Sequence, residues 1–225
     1  MAEELTIRLI EQGLEINVEN PQTATLGMGC FWGPEARFGS LPGVLRTRVG
    51  FSGGTALNPS YREMGDHTET VEIDFDPAIL SFEEILLHFW RNHYPNRDEY
   101  KGRQYISLIR FHGPLQEQAA GKIKRQMEQE IGEEIETDIA AFTDFTPAEE
   151  RHQKYYLKRY PKAVEQLAPL YPHSSLLNDS TFAARLNGFA KGFGNREKLK
   201  SEIAGWHIAP EYQEILIDKL MAMKW

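Results

Sequence analysis

Residues 69–75, with the sequence ETVEIDF, alternate between two kinds of side chain. Val71, Ile73 and Phe75 fall on one face together with Glu69, while threonine and acidic residues fall on the other. Because successive side chains of a strand point to opposite faces of a sheet, the alternation predicts a β-strand with one buried face. The same register places the Glu69 carboxyl at the start of the strand, on its apolar face.

The segments around this strand predict an alternating order of strands and helices. Apolar spacing and turn residues predict strands over 22–28, 44–52 and 104–111, and helices over 34–38 and 82–92. Ser81 and Glu84 form a capping-box signature at the start of the second helix. The order β-α-β-β-α-β is that of the ferredoxin-like, split βαβ fold, so we expect an α/β (α+β) two-layer sandwich.

The rest of the chain predicts mostly helices. Helices are expected over 114–131 and 146–159, with one further strand over 136–142. From Ser175 to Trp225 the apolar residues recur at helical intervals without strand alternation. We therefore expect a main domain over residues 1–174 and a helical C-terminal extension over 175–225, which packs on that domain or forms a small lobe.

Composition argues against several classes of protein. The 225 residues carry 25 Lys and Arg against 33 Asp and Glu, a formal charge of −8, which disfavours a broad surface for nucleic acid or anionic membrane. No stretch approaches the ~20 apolar residues of a membrane-spanning helix, and the N-terminus lacks the pattern of a secretion signal. We expect a cytoplasmic protein. The histidines show no HExxH or paired-ligand spacing, so no metal site is predicted.

The single cysteine, Cys30, lies between the first predicted strand and the helix that follows it. Backbone N–H groups at a helix start stabilise a thiolate, which predicts a lowered pKa and a reactive sulfur. The alternative is that Cys30 is a small buried hydrophobic residue. In the predicted topology the end of the first strand lies beside the starts of the third and fourth strands, which brings Glu69 and Tyr105 close to Cys30. Tyr61, in the connection before the third strand, approaches the same edge.

Six ordered motifs resemble one known family. They are GCFWGPEARF at 29–38, GFSGG at 50–54, NPSYREM at 58–64, GDHTETV at 65–71, GRQYIS at 102–107 and PAEERHQKYYL at 147–157. In this order they are similar to the A-type peptide methionine sulfoxide reductases, which reduce the S epimer of methionine sulfoxide. The resemblance covers about residues 22–160 and implies the same mixed α/β fold, with the catalytic domain over 1–174.

The resemblance implies a role for each residue at the convergent edge. Cys30 would attack the sulfoxide sulfur and become a sulfenic acid as methionine leaves. Glu69 would protonate the sulfoxide oxygen, a task favoured by a raised pKa on the apolar face of a strand. Tyr61 and Tyr105 would hydrogen-bond that oxygen. Phe31 and Trp32 would enclose the substrate methyl group.

The chain departs from the family pattern at three places. One is GFSGG at 50–54, where the family usually has GYSGG or GYTGG, together with a short segment between Tyr61 and Glu69. Many members resolve the sulfenic acid with further cysteines, of which these 225 residues have none, so an external thiol such as thioredoxin, glutaredoxin or glutathione is expected as reductant, with no cofactor. Tyr100 stands where the family commonly has an acid, and Asp98 is the candidate that replaces it. The substrate would be free or protein-bound methionine sulfoxide.

Two other classes of function stay open on the sequence alone. A cysteine hydrolase or acyltransferase would need a histidine base beside Cys30, and the predicted strand ends carry none. A non-catalytic sulfoxide-binding or interaction protein is the second alternative, favoured by the departures from the family motifs. Glu35 and His152 also fall in matching motifs, and both are expected to be structural.

Overall fold

The computed structural model describes residues 5–96 and 102–225. Six strands form one sheet in the order β5-β4-β1-β3-β2-β6. The strands are β1 Gln22–Met28, β2 Val44–Ser52, β3 Thr68–Phe75, β4 Ser107–Phe111, β5 Asp138–Ala141 and β6 Thr146–Pro147. The helices are α1 Ile7–Ile16, α2 Trp32–Gly39, α3 Phe82–Arg91, α4 Pro114–Ile131, α5 Tyr155–Lys158, α6 Pro161–Leu167, α7 Ser174–Asn178, α8 Thr181–Lys191, α9 Arg196–Ala204 and α10 Pro210–Ala222.

The four central strands have the predicted ferredoxin-like arrangement. Strand β1 pairs antiparallel with β3, where Leu26 faces Val71, and antiparallel with β4, where Met28 faces Ser107. Strand β2 pairs with the outer side of β3. The end of β1 therefore lies beside the starts of β3 and β4, as the topology predicts. The mixed α/β class and the helical C-terminal region are confirmed.

Helices α3 and α4 cover one face of the sheet. Ser81 accepts a hydrogen bond from the Glu84 N–H, and the Glu84 carboxylate accepts one from the Ser81 N–H, so the predicted capping box is present. The main core consists of strand residues and the apolar sides of these helices, among them Leu26, Val71, Ile73, Phe89 and Ile123. Only the middle of the apolar stripe of α4 is buried, because Leu115 and Ile131 near its ends are exposed.

The second face of β3 differs from the expected solvent-facing surface. Thr70 is fully buried and Glu72 is nearly so. Arg48 on the neighbouring strand donates to Glu72 at 2.8 Å and to Asp74 at 3.0 Å. Because β3 is an inner strand of the sheet, its acidic residues are satisfied by arginines of β2 instead of by water.

The helix predicted over 146–159 is wrong. Its first residues form the two-residue strand β6 beside β2, followed by a 3-10 turn over Glu150–His152 and the single-turn helix α5. Lys154 interrupts the helix because its backbone is left-handed, with φ of 51°, and its side chain is fully buried. Helical spacing of the side chains cannot reveal such a break. Tyr105 likewise lies in a 3-10 turn, Gly102–Tyr105, just before β4 and not within that strand.

The helices outside the sheet share a second core. It contains Ile7 and Ile10 of α1, which the sequence did not predict as a helix, together with apolar residues of α5 to α10. Helix α8 packs closely on α2: a Cβ atom at Gly188 would lie 2.6 Å from the Ser40 Cβ and 2.8 Å from the Ala36 carbonyl oxygen. The division of the chain at 174/175 stays a prediction.

Candidate active site

Cys30 lies between the end of β1 and the first turn of α2, and its side chain is exposed. Loss of surrounding water raises the pKa of the thiol, the Trp32 N–H that donates to the sulfur lowers it, and negative charge on Glu69 raises it further. The net pKa is above the ordinary value, so the expected lowering by the helix start is wrong for the free protein. One backbone N–H does not outweigh the partial loss of water around the thiolate.

Glu69 begins the buried face of β3 and has no exposure to solvent. Its Oε2 accepts a hydrogen bond from the Phe31 N–H at 3.1 Å, and its Oε1 accepts one from the Gln104 amide at 2.8 Å. The first of these contacts is made by the residue directly after Cys30. The carboxyl is therefore tied to the backbone that carries the thiol.

Tyr61 and Tyr105 come together from two loops at the same edge of the sheet, and their hydroxyl groups hydrogen-bond each other. Burial and the negative charges of Glu69 and Cys30 raise the pKa of Tyr61. Burial and Glu69 raise the pKa of Tyr105 further. Both phenols are therefore neutral near pH 7 and keep the hydroxyl protons that hydrogen bonds to a substrate oxygen need.

Aromatic rings line the space next to Cys30. Phe31 is almost completely buried and packs 6.3 Å from the Tyr61 ring and 6.5 Å from the Trp32 ring, centroid to centroid. Trp32 is partly exposed and stacks on Tyr155, with parallel rings 3.8 Å apart. An apolar wall of this kind can accept a small alkyl group.

His152, expected to be structural, also belongs to this wall and is almost completely buried. It stacks on Tyr61 with ring centroids 4.3 Å apart, and its Nδ1 accepts the Trp32 indole N–H at 3.2 Å. The Arg151 Nε–H lies 3.1 Å from the Nε2 atom of His152. Because a neutral imidazole has only one acceptor nitrogen, the hydrogen bonds from Trp32 and from Arg151 do not form at the same time. Burial and Arg151 lower the pKa of His152 and keep the ring neutral.

Glu35 has the structural place that the sequence predicted. Its carboxylate is fully buried and pairs with the Lys154 Nζ at 2.9 Å. The same Nζ donates to the Thr47 and Asn178 carbonyl oxygens, at 2.6 and 3.0 Å. This ion pair joins α2 to the segment around α5 and to the end of α7.

The nearby carboxyl of Asp66 does not supply an acid at the site. Asp66 accepts hydrogen bonds from the Thr55 and Ala56 N–H groups and from the Thr55 hydroxyl, which hold the pKa of its carboxyl well below the usual range. It anchors the loop before β3. Asp98 lies outside the described residues.

Within residues 5–96 and 102–225, no group of three or more His, Cys, Asp or Glu side chains could hold a metal ion. In the same part of the chain, no helix is long and apolar enough to cross a membrane.

Comparison with known proteins decides the family. A model of the peptide methionine sulfoxide reductase family matches residues 22–181. The chain belongs to the peptide methionine sulfoxide reductase family. The peptide methionine sulfoxide reductase of Drosophila melanogaster is 43% identical over 201 residues, which cover 89% of this chain and 80% of that protein. Peptide methionine sulfoxide reductase MsrA of Methanococcoides burtonii is 36% identical over 147 residues, 61% of this chain and 96% of that protein. Among solved structures, methionine sulfoxide reductase A of Corynebacterium diphtheriae superposes with a TM-score of 0.57 at 32% identity, covering 65% of this chain and 78% of that one.

These relatives identify the reductase as A-type and as an oxidoreductase that reduces methionine sulfoxide. The hypotheses of a cysteine hydrolase and of a binding protein without catalysis lose their support. The structure brings Cys30, Glu69 and both tyrosines to one sheet edge. His152 and Gln104 are additional neighbours, to which the family resemblance assigns no role. Both stand inside quoted motifs, which was the available signal.

Proposed function

We propose that Cys30 is the nucleophile of the reductase and that its sulfenic acid is the intermediate. The thiolate attacks the sulfoxide sulfur, the sulfur–oxygen bond of the substrate breaks, and the oxygen ends on Cys30 as methionine leaves. Overall, a thiol and a sulfoxide give a sulfenic acid and a thioether, so the substrate sulfur is reduced as the cysteine sulfur is oxidised. The exposure of Cys30 at the edge shared with Glu69 supports this role.

Glu69 supplies the proton that the departing oxygen needs. Its burial disfavours the charged carboxylate, whereas the hydrogen bonds that it accepts from two N–H groups favour the charged form. The balance of these effects sets the pH above which Glu69 has no proton to donate. Tyr61 and Tyr105 bind the sulfoxide oxygen through their hydroxyls. The single observation that carries this proposal is the hydrogen bond from the Phe31 N–H to Glu69, which ties the acid to the residue beside the thiol.

Phe31 and Trp32 bind the methyl group and orient the sulfoxide. A buried methyl contributes only ~0.8 kcal/mol, so the pocket discriminates geometry more than it adds affinity. Placing the methyl against these rings and the oxygen against the phenols leaves one sulfoxide configuration able to present its sulfur to Cys30. We assign the S epimer to it, and Asp98 stays a proposed contact of the substrate.

An external thiol recycles the enzyme. Because Cys30 is the only cysteine among the 225 residues, a first thiol condenses with the sulfenic acid to a mixed disulfide and water, and a second thiol releases Cys30 by exchange. A thioredoxin, glutaredoxin or glutathione fits this chemistry. We also propose a cytoplasmic location and a role in protein repair under oxidative stress, and fractionation of cells tests the location. Paired assays on peptide and amino-acid sulfoxides test whether free or protein-bound substrate is preferred.

The decisive test is a single-turnover assay with S- and R-methionine sulfoxide, followed by turnover with dithiothreitol. Cys30→Ser should abolish methionine formation from the S epimer, because a serine hydroxyl has a far higher pKa than a thiol. Glu69→Gln should slow the single turnover by ~10²–10⁴-fold, the usual effect of removing a general acid. Residual activity of a few per cent in Cys30→Ser would remove it from the mechanism.

A matched control for Glu69 is available on the same strand. Glu72→Gln removes a carboxylate from the opposite face of β3, where it pairs with Arg48, and should leave the single-turnover rate unchanged. After one equivalent of sulfoxide without reductant, wild-type protein should carry one extra oxygen and react with a dimedone-type probe. Equal slowing by Glu72→Gln and Glu69→Gln, or an oxidised protein that does not react with dimedone, contradicts the proposal.

A further inference from the structure

The turn that carries Tyr105 also carries a contact to the acid. Gln104 is half-buried and its side-chain amide lies 2.8 Å from Glu69 Oε1. With the Phe31 N–H at 3.1 Å from Oε2, each carboxyl oxygen has its own N–H donor from a different segment of the chain. Glu69 itself has no exposure to solvent, so protein groups take the place of water around it.

The turn that presents Gln104 is fixed to its surroundings at several points. The Thr68 hydroxyl, one residue before Glu69, donates to the Arg103 carbonyl oxygen at 2.8 Å. The Arg103 guanidinium donates to Asp138 at 2.7 Å and to the Asp66 carbonyl oxygen at 3.2 Å. These bonds hold the residue directly before Gln104 in place, so the distance from its amide to Glu69 is preset before substrate binds.

A fixed N–H donor on a carboxyl oxygen stabilises the carboxylate more than the protonated acid. When Glu69 gives its proton to the sulfoxide oxygen, negative charge develops on a group that water does not reach. Donors already aimed at both oxygens meet that charge without reorganisation. Hydrogen bonds to charged groups are roughly twice as strong as those between neutral groups. The Gln104 amide therefore stabilises Glu69 most after the proton has left.

We propose that Gln104 is a positioning residue that stabilises the carboxylate of Glu69 formed by proton donation. The inference rests on the proposed role of Glu69 as the acid. In this role Gln104 makes Glu69 a stronger acid at the moment of transfer and holds it toward Cys30, without itself touching the sulfoxide.

The test is the pH dependence of the single-turnover rate, because a loss of packing alone does not move a titration. Gln104→Met keeps the length of the side chain and removes its donor. At pH values low enough that Glu69 is protonated in both proteins, the single-turnover rate should fall several-fold, up to about 10-fold, because the carboxylate formed by the transfer loses a hydrogen bond. The alkaline limb, where Glu69 loses its proton, should move to higher pH by about one unit, because the carboxylate is less stable. Gln104→Glu should move that limb further, since two neighbouring carboxyls resist joint ionisation.

A remote glutamine provides the matched control. Gln116 in α4 donates to the Thr23 carbonyl oxygen at 2.8 Å and accepts the His112 N–H at 3.0 Å, at the far end of β1 from Cys30. Gln116→Met should lower the melting temperature without moving the alkaline limb. Melting temperatures of all variants show that the folded proteins are being compared.

The outcomes separate this inference from the proposed function. If Glu69→Gln keeps the wild-type rate, the acid role itself fails. If Glu69→Gln is slow while Gln104→Met leaves the alkaline limb in place or moves it to lower pH, only the role of Gln104 is overturned. In a Glu69→Gln background, Gln104→Met should cost less than about twofold, because the charge it serves is absent.

Discussion

A buried carboxyl in α1 makes the stability of the fold depend on pH. Glu11 Oε1 accepts hydrogen bonds from the Phe182 N–H at 2.7 Å and the Ser180 hydroxyl at 2.9 Å, and its Oε2 accepts the Thr181 N–H at 3.0 Å. It thus caps the start of α8, the helix that packs on α2. Burial outweighs these hydrogen bonds and raises the pKa of Glu11 from 4.5 to about 7.

The direction of the pH effect follows from proton linkage. Between pH 4.5 and pH 7 the folded protein holds a proton on Glu11 that the unfolded chain has released. The free energy of unfolding contributed by this group therefore falls as pH rises through that window, and the contribution is lost above pH 7. For this shift the change between pH 5 and pH 8 amounts to about 2–3 kcal/mol.

Urea unfolding of wild type and Glu11→Gln at pH 5 and pH 8 measures this term. His88, His112 and His152 have lowered pKa values and act in the opposite direction, so the difference between the two proteins is the quantity to compare. The free energy of unfolding of wild type minus that of the variant should be about 2–3 kcal/mol larger at pH 5 than at pH 8. Glu15→Gln on the exposed side of α1 should give a much smaller change, because the charge of Glu15 is the smallest of the causes that shift the pKa of Glu11. A wild-type-to-variant difference that stays constant within about 0.5 kcal/mol across this range would refute the reasoning.

Three further predictions concern packing, the buried ion pair and the thiol. Gly188→Ala should destabilise the fold by about 1–3 kcal/mol through overpacking against α2, measured by urea unfolding, whereas Gly121→Ala, which meets only the Arg125 side chain at 3.7 Å, should stabilise it by about 0.5–1 kcal/mol; stabilisation by both would contradict the close packing. Lys154→Met should lower the free energy of unfolding by about 3–5 kcal/mol because it leaves Glu35 buried without a cation, and a cost below 1 kcal/mol would show that the pair is dispensable. Alkylation of Cys30 by iodoacetamide should rise with pH to a midpoint above the ordinary thiol value, and a midpoint near pH 7 would disprove the raised pKa.

The fold follows from sequence wherever one local pattern dominates. The alternation of β2 and β3 and the capping box of α3 predict their positions to within one residue, because strand period and cap are properties of neighbouring residues. The failures have tertiary causes. Ile7 and Ile10 of helix α1 are buried in a core whose other buried members all lie at Leu157 or beyond. The left-handed Lys154 is held by contacts to α2, β2 and α7.

The candidate site shows the same division. Topology predicts that Cys30 and Glu69 meet, since strand pairing brings the end of β1 beside the start of β3. It does not predict which neighbours contact them. His152 reaches Trp32 across 120 residues from a turn that the sequence presents as part of a helix. The sequence does not predict the raised pKa of Cys30 for a related reason. It shows the N–H groups at the helix start but not the atoms from other segments that exclude water from the thiol.

Helix α8, which follows residue 174, packs on α2, the helix next to Cys30. Lys154, which holds Glu35 of α2, also donates to the carbonyl oxygen of Asn178, and the Asn187 amide lies 3.5 Å from the Glu35 carboxylate. Glu11, near the other terminus, accepts the first N–H groups of α8. Because α2 begins at Trp32, two residues after Cys30, these buried polar contacts hold the helix next to the thiol from both sides of the proposed boundary at 174/175. Removal of the residues after 174 would take the Asn178 carbonyl oxygen from Lys154 and the Asn187 amide from Glu35, so we expect a truncated chain to hold α2 less firmly.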